Sequence, residues 1–379
     1  MVTTSINAGS ASLPGANPKE PAKVAHRKSI MSLSTIKNAP AMPTGLHHSS
    51  DDFPGIRRRK RGKGFSYFND DGQTVFSLSE RERFASLAIP PAYRSVWICP
   101  SQHGHLQATG RDARGRKQYL YHPDWRTARD ETRFHRMAAF GSALPRIRAS
   151  AIRDLAQSPG ATVGQRKVIA ALVRLLDTTM VRVGNDAYAR SNKSYGLTTL
   201  RKRHLAMNGT KLRLKFRGKS GIEHEVALED KRVVRIVRRC QALPGQELFK
   251  YLDDNGQVHS VGSSAVNDYL GEASGGDFTA KDFRTWHGSA TALALFMQLD
   301  TVAQGAITAT VANRLIAKVA RLLGNTVAVC RKSYIHPELL ALLFKTQPAS
   351  AAFKVSQPKR KAGMSMSDQR FLAFVNAYE

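Results

Sequence analysis

The sequence predicts an α+β chain: a small β-rich N-terminal domain, then a larger, mainly α-helical domain carrying a three-stranded β island. Three observations lead there. Short β-like runs separated by turn residues occupy 64–121, and helical periodicity dominates from residue 124 onward. One alternating segment, Lys211-Leu212-Arg213-Leu214-Lys215-Phe216, interrupts that periodicity. A length of 379 residues fits two folded domains.

Residues 1–52 read as a disordered basic tail. They lack Phe, Trp and Tyr, and carry Lys19, Lys23, Arg27, Lys28 and Lys37 against only Glu20 before Asp51. A transit peptide fits poorly, since Arg27 is the only arginine and no amphipathic period appears. Order is expected from Phe53 and the cluster Arg57-Arg58-Arg59-Lys60-Arg61. Strands are expected at 64–68, 95–99 and 118–121, with Asp70-Asp71-Gly72 as a turn, giving an N-terminal domain of 53–123. In the second domain, 124–347, the stretch 127–149 is dense in Arg and Ala. Val168, Leu172, Leu175, Leu176 and Met180 recur at helical spacing, predicting a helix over 165–182 closed by Gly184. The island follows: 197–207, an Asn208-Gly209 turn, 211–216, a second turn, and 222–228. Further helices are expected at 230–241, 263–272, 280–299, 311–323 and 337–346. Residues 348–379 read as a basic tail ending in a short apolar segment.

Composition narrows the function. The chain holds 58 Lys+Arg against 29 Asp+Glu, a formal charge of +29, yet 42% of it is apolar, enough for a core. Such a surplus calls for a polyanion. Nucleic acid leads, ahead of an anionic membrane surface or a ribosomal setting. No run of about 18 apolar residues exists to span a membrane, and no apolar signal region marks the N-terminus. Cys99, Cys240 and Cys330 lie far apart, which excludes a disulfide scaffold and a thiolate zinc site and favours a reducing compartment. His103-Gly104-His105 lacks partners with metal-ligand spacing, so no metal is expected.

Five segments, each ordinary alone, carry the chemistry when taken in order. They are Met180-Val181-Arg182-Val183-Gly184-Asn185, Phe216-Arg217-Gly218-Lys219-Ser220-Gly221, Lys281-Asp282-Phe283-Arg284-Thr285, Leu323-Gly324-Asn325-Thr326, and Arg331-Lys332-Ser333-Tyr334-Ile335-His336-Pro337. Together they resemble the catalytic domain of type IB DNA topoisomerases, in particular the small poxvirus and bacterial branch. Gly115-Arg116-Lys117-Gln118-Tyr119-Leu120-Tyr121 is similar to that family's DNA-clamp motif, so the resemblance covers roughly 55–345.

The resemblance implies a tyrosine nucleophile, Tyr334, forming a 3′-phosphotyrosyl link, with Arg182 and Arg284 on the non-bridging phosphate oxygens. Arginine suits that place physically: it stays protonated and donates two parallel bonds. Lys219, at a hairpin tip, is expected to act as general acid, its pKa depressed by the arginines. On its own it would read as an exposed turn residue, and Tyr334 as a core residue. Arg284, Arg331 and Lys332 are the cations expected to help the phenol ionise. Asn325 stands where viral and eukaryotic members carry histidine, and its amide can donate the same hydrogen bond without a charge. In the clamp, Gln118 is expected to bond a base, Tyr119 and Tyr121 to reach bases or sugars, and Arg116 and Lys117 to meet phosphates. Tyr188 is a weaker sugar or phosphate contact. His287 is expected to support the fold and Cys330 to pack.

Nothing resembling a nucleotide-binding G-x-x-x-x-G-K-[ST] loop occurs, and neither ATP nor another cofactor is expected. Duplex DNA is the expected partner, a monomer the working unit, and a bacterial cytoplasm, at the nucleoid, the location. Two rivals remain. Tyrosine recombinases share the Arg–Lys–Arg–Tyr set but carry histidine three residues before the second arginine, where this chain has Lys281. The other is a nucleoid-binding protein that keeps the fold without catalysis.

Overall fold

The computed structural model describes residues 42–75, 77–113, 115–156, 163–299, 308–344 and 360–378. The expected basic tail up to residue 41, and the stretch 348–359, lie outside them. A five-stranded antiparallel sheet forms the N-terminal part, from β1 (Ile56–Arg61), β2 (Gly64–Phe68), β3 (Arg94–Ile98), β4 (Leu106–Arg111) and β5 (Lys117–Tyr121), in the order β2-β1-β3-β4-β5. Helix α1 (Leu78–Ser86) crosses between β2 and β3 and buries Phe84 against Ile56, Val96, Ile98 and Ala108.

Two expectations for this region need correction. The basic cluster 57–61 is itself β1, although arginine and lysine are poor strand formers. Cross-strand partners compensate: the Arg58 guanidinium lies 4.1 Å from the Phe65 ring centre and donates to the Ile89, Pro90 and Tyr93 carbonyls, while Arg59 covers Phe68. Order also begins before Phe53. His47 accepts from the His105 N–H at 2.9 Å, and the Ser49 hydroxyl donates to the Leu106 carbonyl at 3.0 Å. Hydrogen bonding to the sheet anchors that strip, so its lack of aromatic residues misleads.

The rest is mainly helical: α2 (Pro123–His135), α3 (Met137–Ala156), α4 (Gln165–Thr179), α5 (Asp186–Asn192), α6 (Lys231–Ala242), α7 (Ser263–Ser274), α8 (Ala280–Met297), α9 (Ala309–Leu323), α10 (Val327–Tyr334), α11 (Pro337–Phe344) and α12 (Met366–Tyr378). Between α5 and α6 stands the three-stranded sheet of β6 (Leu205–Asn208), β7 (Lys211–Arg217) and β8 (Glu223–Glu229), ordered β6-β7-β8. In β7 the alternation buries Leu212, Leu214 and Phe216. The first island strand is shorter than expected, because two 3₁₀ turns occupy Leu197–Thr199 and Lys202–His204. A hairpin of β9 (Lys250–Leu252) and β10 (Val258–Ser260) was not legible in the sequence.

Helix α4 stops three residues before the expected 182. Its C-cap, Met180, adopts φ 55° and donates its N–H back to the Leu176 carbonyl. The chain leaves the helix there and runs extended. Pairing with a second segment (Leu197 N–H to the Arg182 carbonyl at 2.9 Å, Thr198 N–H to that of Val183 at 2.7 Å) holds the exit loop.

The C-terminus carries the largest correction. Within the expected tail, α12 buries Phe371, Phe374 and Val375 completely. Asp368 accepts from Trp286 Nε1 at 2.7 Å and from Arg148 Nη1 at 2.8 Å. Arg148 turns its other nitrogens to Asp177, which His287 also meets at 3.0 Å. Burial works against the ionised carboxylates of Asp177 and Asp368, but Arg148 and the hydrogen bonds outweigh it and hold both below 3.8. The stabilisation is therefore complete at neutral pH and is lost only as pH falls below about 4 through the folded values. Asp368→Ala leaves Arg148 and Trp286 without that acceptor and should cost about 3 kcal/mol in urea unfolding at pH 7.

Candidate active site

Three local devices build the site: the loop leaving α4, the first turns of α8, and the end of α10. The exit loop carries Arg182. One guanidinium nitrogen donates to the Gly324 carbonyl at 3.5 Å and another to Asn325 Oδ1. Arg284 sits on α8, started by the Thr279–Asp282 capping box, and is 3% exposed. Its guanidinium donates to the Met180 carbonyl and, at 2.8 Å, to the Leu323 carbonyl. Those carbonyls close α4 and α9, where the helix dipoles leave negative charge. Arg284 thus ties two helix ends together by electrostatics that also fix its own position. Burial, then Arg182, push its pKa down to about 10.

Tyr334 ends α10 beside it, the Arg284 guanidinium carbon 5.1 Å from the ring centre. Burial alone would raise the phenol pKa. Arg284 first, then Arg182 and Lys281, reverse that and bring it below 10.0. Lys281 is the residue sequence reasoning missed as a site member. It lies one helical turn before Arg284, a spacing that could have revealed it. Burial, then Arg133 and Arg129, lower its pKa. Arg331, expected to help, instead covers Phe344 and donates to Asn313.

The tyrosine's backbone is held as firmly as its ring. Ser289, fully buried on α8, donates its hydroxyl to the Tyr334 carbonyl at 3.1 Å and accepts the His336 N–H at 3.0 Å. The approach is close enough that a Cβ on Gly288 would fall 2.6 Å from that carbonyl oxygen. Ser289→Ala should slow covalent cleavage of DNA about tenfold in single-turnover assays, with DNA affinity unchanged.

A cleft of about 610 Å³ gathers Arg182, Lys219, Lys281, Arg284 and Tyr334, with Tyr119 and Tyr188 in its wall. Lys219 enters from the β7–β8 tip, in the turn Lys219–Gly221, where Ser220 takes φ 64°. Asn325 does not line this cleft. It faces a neighbouring one with Met180 and His224, its Oδ1 taken by Arg182 and its Nδ2 buried without a partner.

The clamp residues divide. Alternation along β5 sets Lys117, Tyr119 and Tyr121 on one face, the two rings stacked at 6.2 Å. Gln118 points to the other face, which it shares with Leu120 of the sheet core. Asp112 accepts both from Gln118 Nε2 at 2.9 Å and from Arg116 Nε at 2.7 Å, and Lys117 pairs with Asp51 at 2.6 Å. Arg116 and Tyr188 line one small cavity, so the residue just before β5 meets α5. Of the two lesser candidates, His287 meets Asp177 and Cys330 is fully buried.

Comparison with known proteins adds two family models. The one described as the catalytic core of eukaryotic DNA topoisomerase I matches residues 122–355, and the N-terminal domain of bacterial DNA topoisomerase IB matches 64–112. DNA topoisomerase 1B of Acanthamoeba polyphaga mimivirus is 30% identical over 289 residues, covering 74% of this chain and 85% of its own. DNA topoisomerase I of Monkeypox virus is 22% identical over 62% of this chain and 71% of its own. Among solved structures, XerH site-specific recombinase bound to difH substrate overlaps 56% of this chain and 52% of its own. Its TM-score is 0.31 and its identity 14%, too distant a likeness to bear on the site.

Proposed function

The chain belongs to the type IB DNA topoisomerases, and from that premise we propose that Tyr334 is the nucleophile that opens and reseals one strand of duplex DNA. The phenol gives its proton to water, and the phenolate oxygen attacks the scissile phosphorus. The P–O5′ bond breaks, the 5′ oxygen takes a proton from a lysine, and a 3′-phosphotyrosyl link remains. Torsion in the DNA drives rotation about the intact strand. Attack by the 5′ hydroxyl then restores the phosphodiester and frees the tyrosine. One phosphoester replaces another, so the cycle needs no ATP.

The observation that carries this reading is the Arg284 guanidinium, locked to two helix ends and set 5.1 Å from the Tyr334 ring centre. There it lowers the phenol pKa and can stabilise the added charge of a pentacoordinate phosphorus. Arg182 supports a second non-bridging oxygen, and the unpartnered Asn325 Nδ2 is a free donor if the amide turns toward the phosphate. Lys219 and Lys281 both line the cleft as candidate acids for the 5′ oxygen. Tyr119 and Tyr121 are placed to meet bases or sugars, Lys117 and Arg116 phosphates once released from their acidic partners, and Tyr188 the DNA beside the cleft. Gln118 reads a base only if Asp112 lets its amide go. Supercoiled duplex DNA is the substrate, a single copy of the chain the working unit, and the bacterial cytoplasm its compartment.

The test is to quench the protein on end-labelled duplex with denaturant, isolate the adduct, and map the linked residue and strand end. Attachment at Tyr334 through a 3′ phosphate is expected. Any other residue or polarity would overturn the assignment.

A further inference from the structure

We infer that His224 is a positioning residue that sets the spacing between the Lys219 hairpin tip and the Asn325 loop, a role that rests on the catalytic reading above. His224 lies on β8 opposite Phe216, and the two rings stack at 5.1 Å with planes 9° apart. The imidazole edge fits between two glycines, each immediately before a candidate catalytic residue. A Cβ on Gly218, which precedes Lys219, would fall 2.5 Å from His224 Cδ2. One on Gly324, which precedes Asn325, would fall 2.2 Å from Cε1. A single flat ring therefore touches the backbone on both sides, and nothing bulkier than glycine fits either flank.

The electrostatics agree with a spacer that carries no charge. Burial first, then Arg182 and Arg284, push the His224 pKa down to about 4, so the ring is neutral at physiological pH. Among the described residues no hydrogen bond to the ring nitrogens occurs, which leaves stacking and contact as its interactions. Since Arg182 donates to both Gly324 and Asn325, a ring that fixes Gly324 also fixes one anchor of Arg182.

The experiment compares single-turnover cleavage by the full-length protein, His224→Ala and His224→Phe on ordinary duplex and on duplex with sulfur replacing the bridging 5′ oxygen. A thiolate leaves without a proton, so the sulfur substrate bypasses the acid. With the ring gone, His224→Ala should cleave the ordinary duplex about 100-fold slower at unchanged DNA affinity, with a lower melting temperature that still leaves the protein folded at the assay temperature. The sulfur substrate should recover at least about tenfold of that loss. His224→Phe, which keeps a flat neutral ring, should stay within about threefold of the parent. Gly218→Ala should be slow alone, yet add no further loss to His224→Ala, because their shared contact has already gone.

Parental speed for His224→Ala, a loss the sulfur substrate does not relieve, or a His224→Phe protein as slow as the alanine variant would each overturn the inference. Failure of the unmodified protein to form an adduct would instead refute the catalytic reading, so the two failures are distinguishable.

Discussion

Tyr334→Phe should abolish the covalent adduct and cut plasmid relaxation by at least about 10⁴-fold, while leaving DNA binding and thermal stability near those of the parent. The phenylalanine ring keeps the contact with Arg284, and both hydrogen bonds of Ser289 run to the backbone of 334 and 336. Only the oxygen is lost. The cleft's arginines stay protonated and have no lone pair to offer, so they cannot replace the phenol. Relaxation by the phenylalanine variant at the parental rate would leave the non-catalytic nucleoid-binding reading in possession.

Arg284→Lys should lower the cleavage rate about 10³-fold at neutral pH, although the charge is kept. The guanidinium donates to the Met180 and Leu323 carbonyls from two nitrogens while lying against the Tyr334 ring. A single ammonium nitrogen cannot span both carbonyls and keep that contact. The pH dependence should shift too. In the parent, cleavage should rise with pH as the phenol ionises and level off below pH 10, because Arg284, Arg182 and Lys281 overcome the effect of burial. In the lysine variant that rise should move upward, since the largest lowering influence is weakened. Single-turnover rates from pH 6 to 10, with melting temperatures as a control for the helix ties, would test both points. An unchanged profile would mean that Arg284 does not act on the phenol.

The site was legible where chemistry is concentrated in short, ordered segments. Arg182, Lys219, Arg284 and Tyr334 could be named in advance and do line one cleft. Lys281 escapes a sequence reading because its position shows only that the histidine a recombinase carries there is replaced. The mistake over Arg331 has a similar origin: neighbours in sequence at the end of a helix point different ways, and this one turns to Phe344. Likewise, β5 presents Gln118 and Tyr119 to opposite faces, which the motif alone did not show.

By itself, the sequence determined the helical periods of the second domain, the alternating β7 strand, the cationic surplus that suits DNA, and four of the side chains that line the cleft. These are local or compositional properties, read from spacing and residue type. Only the tertiary structure decided that α4 ends at Thr179, that the basic run 57–61 is a strand, that 366–378 is a buried helix, and that the His224 ring lies against Gly218 and Gly324. Each of these depends on a partner distant along the chain: Arg284 at the end of α4, the Ile89, Pro90 and Tyr93 carbonyls beside β1, Arg148 and Trp286 beside α12, Gly324 against the imidazole. Contact energies between remote residues overrode weak local preferences, and no local window of sequence contains them.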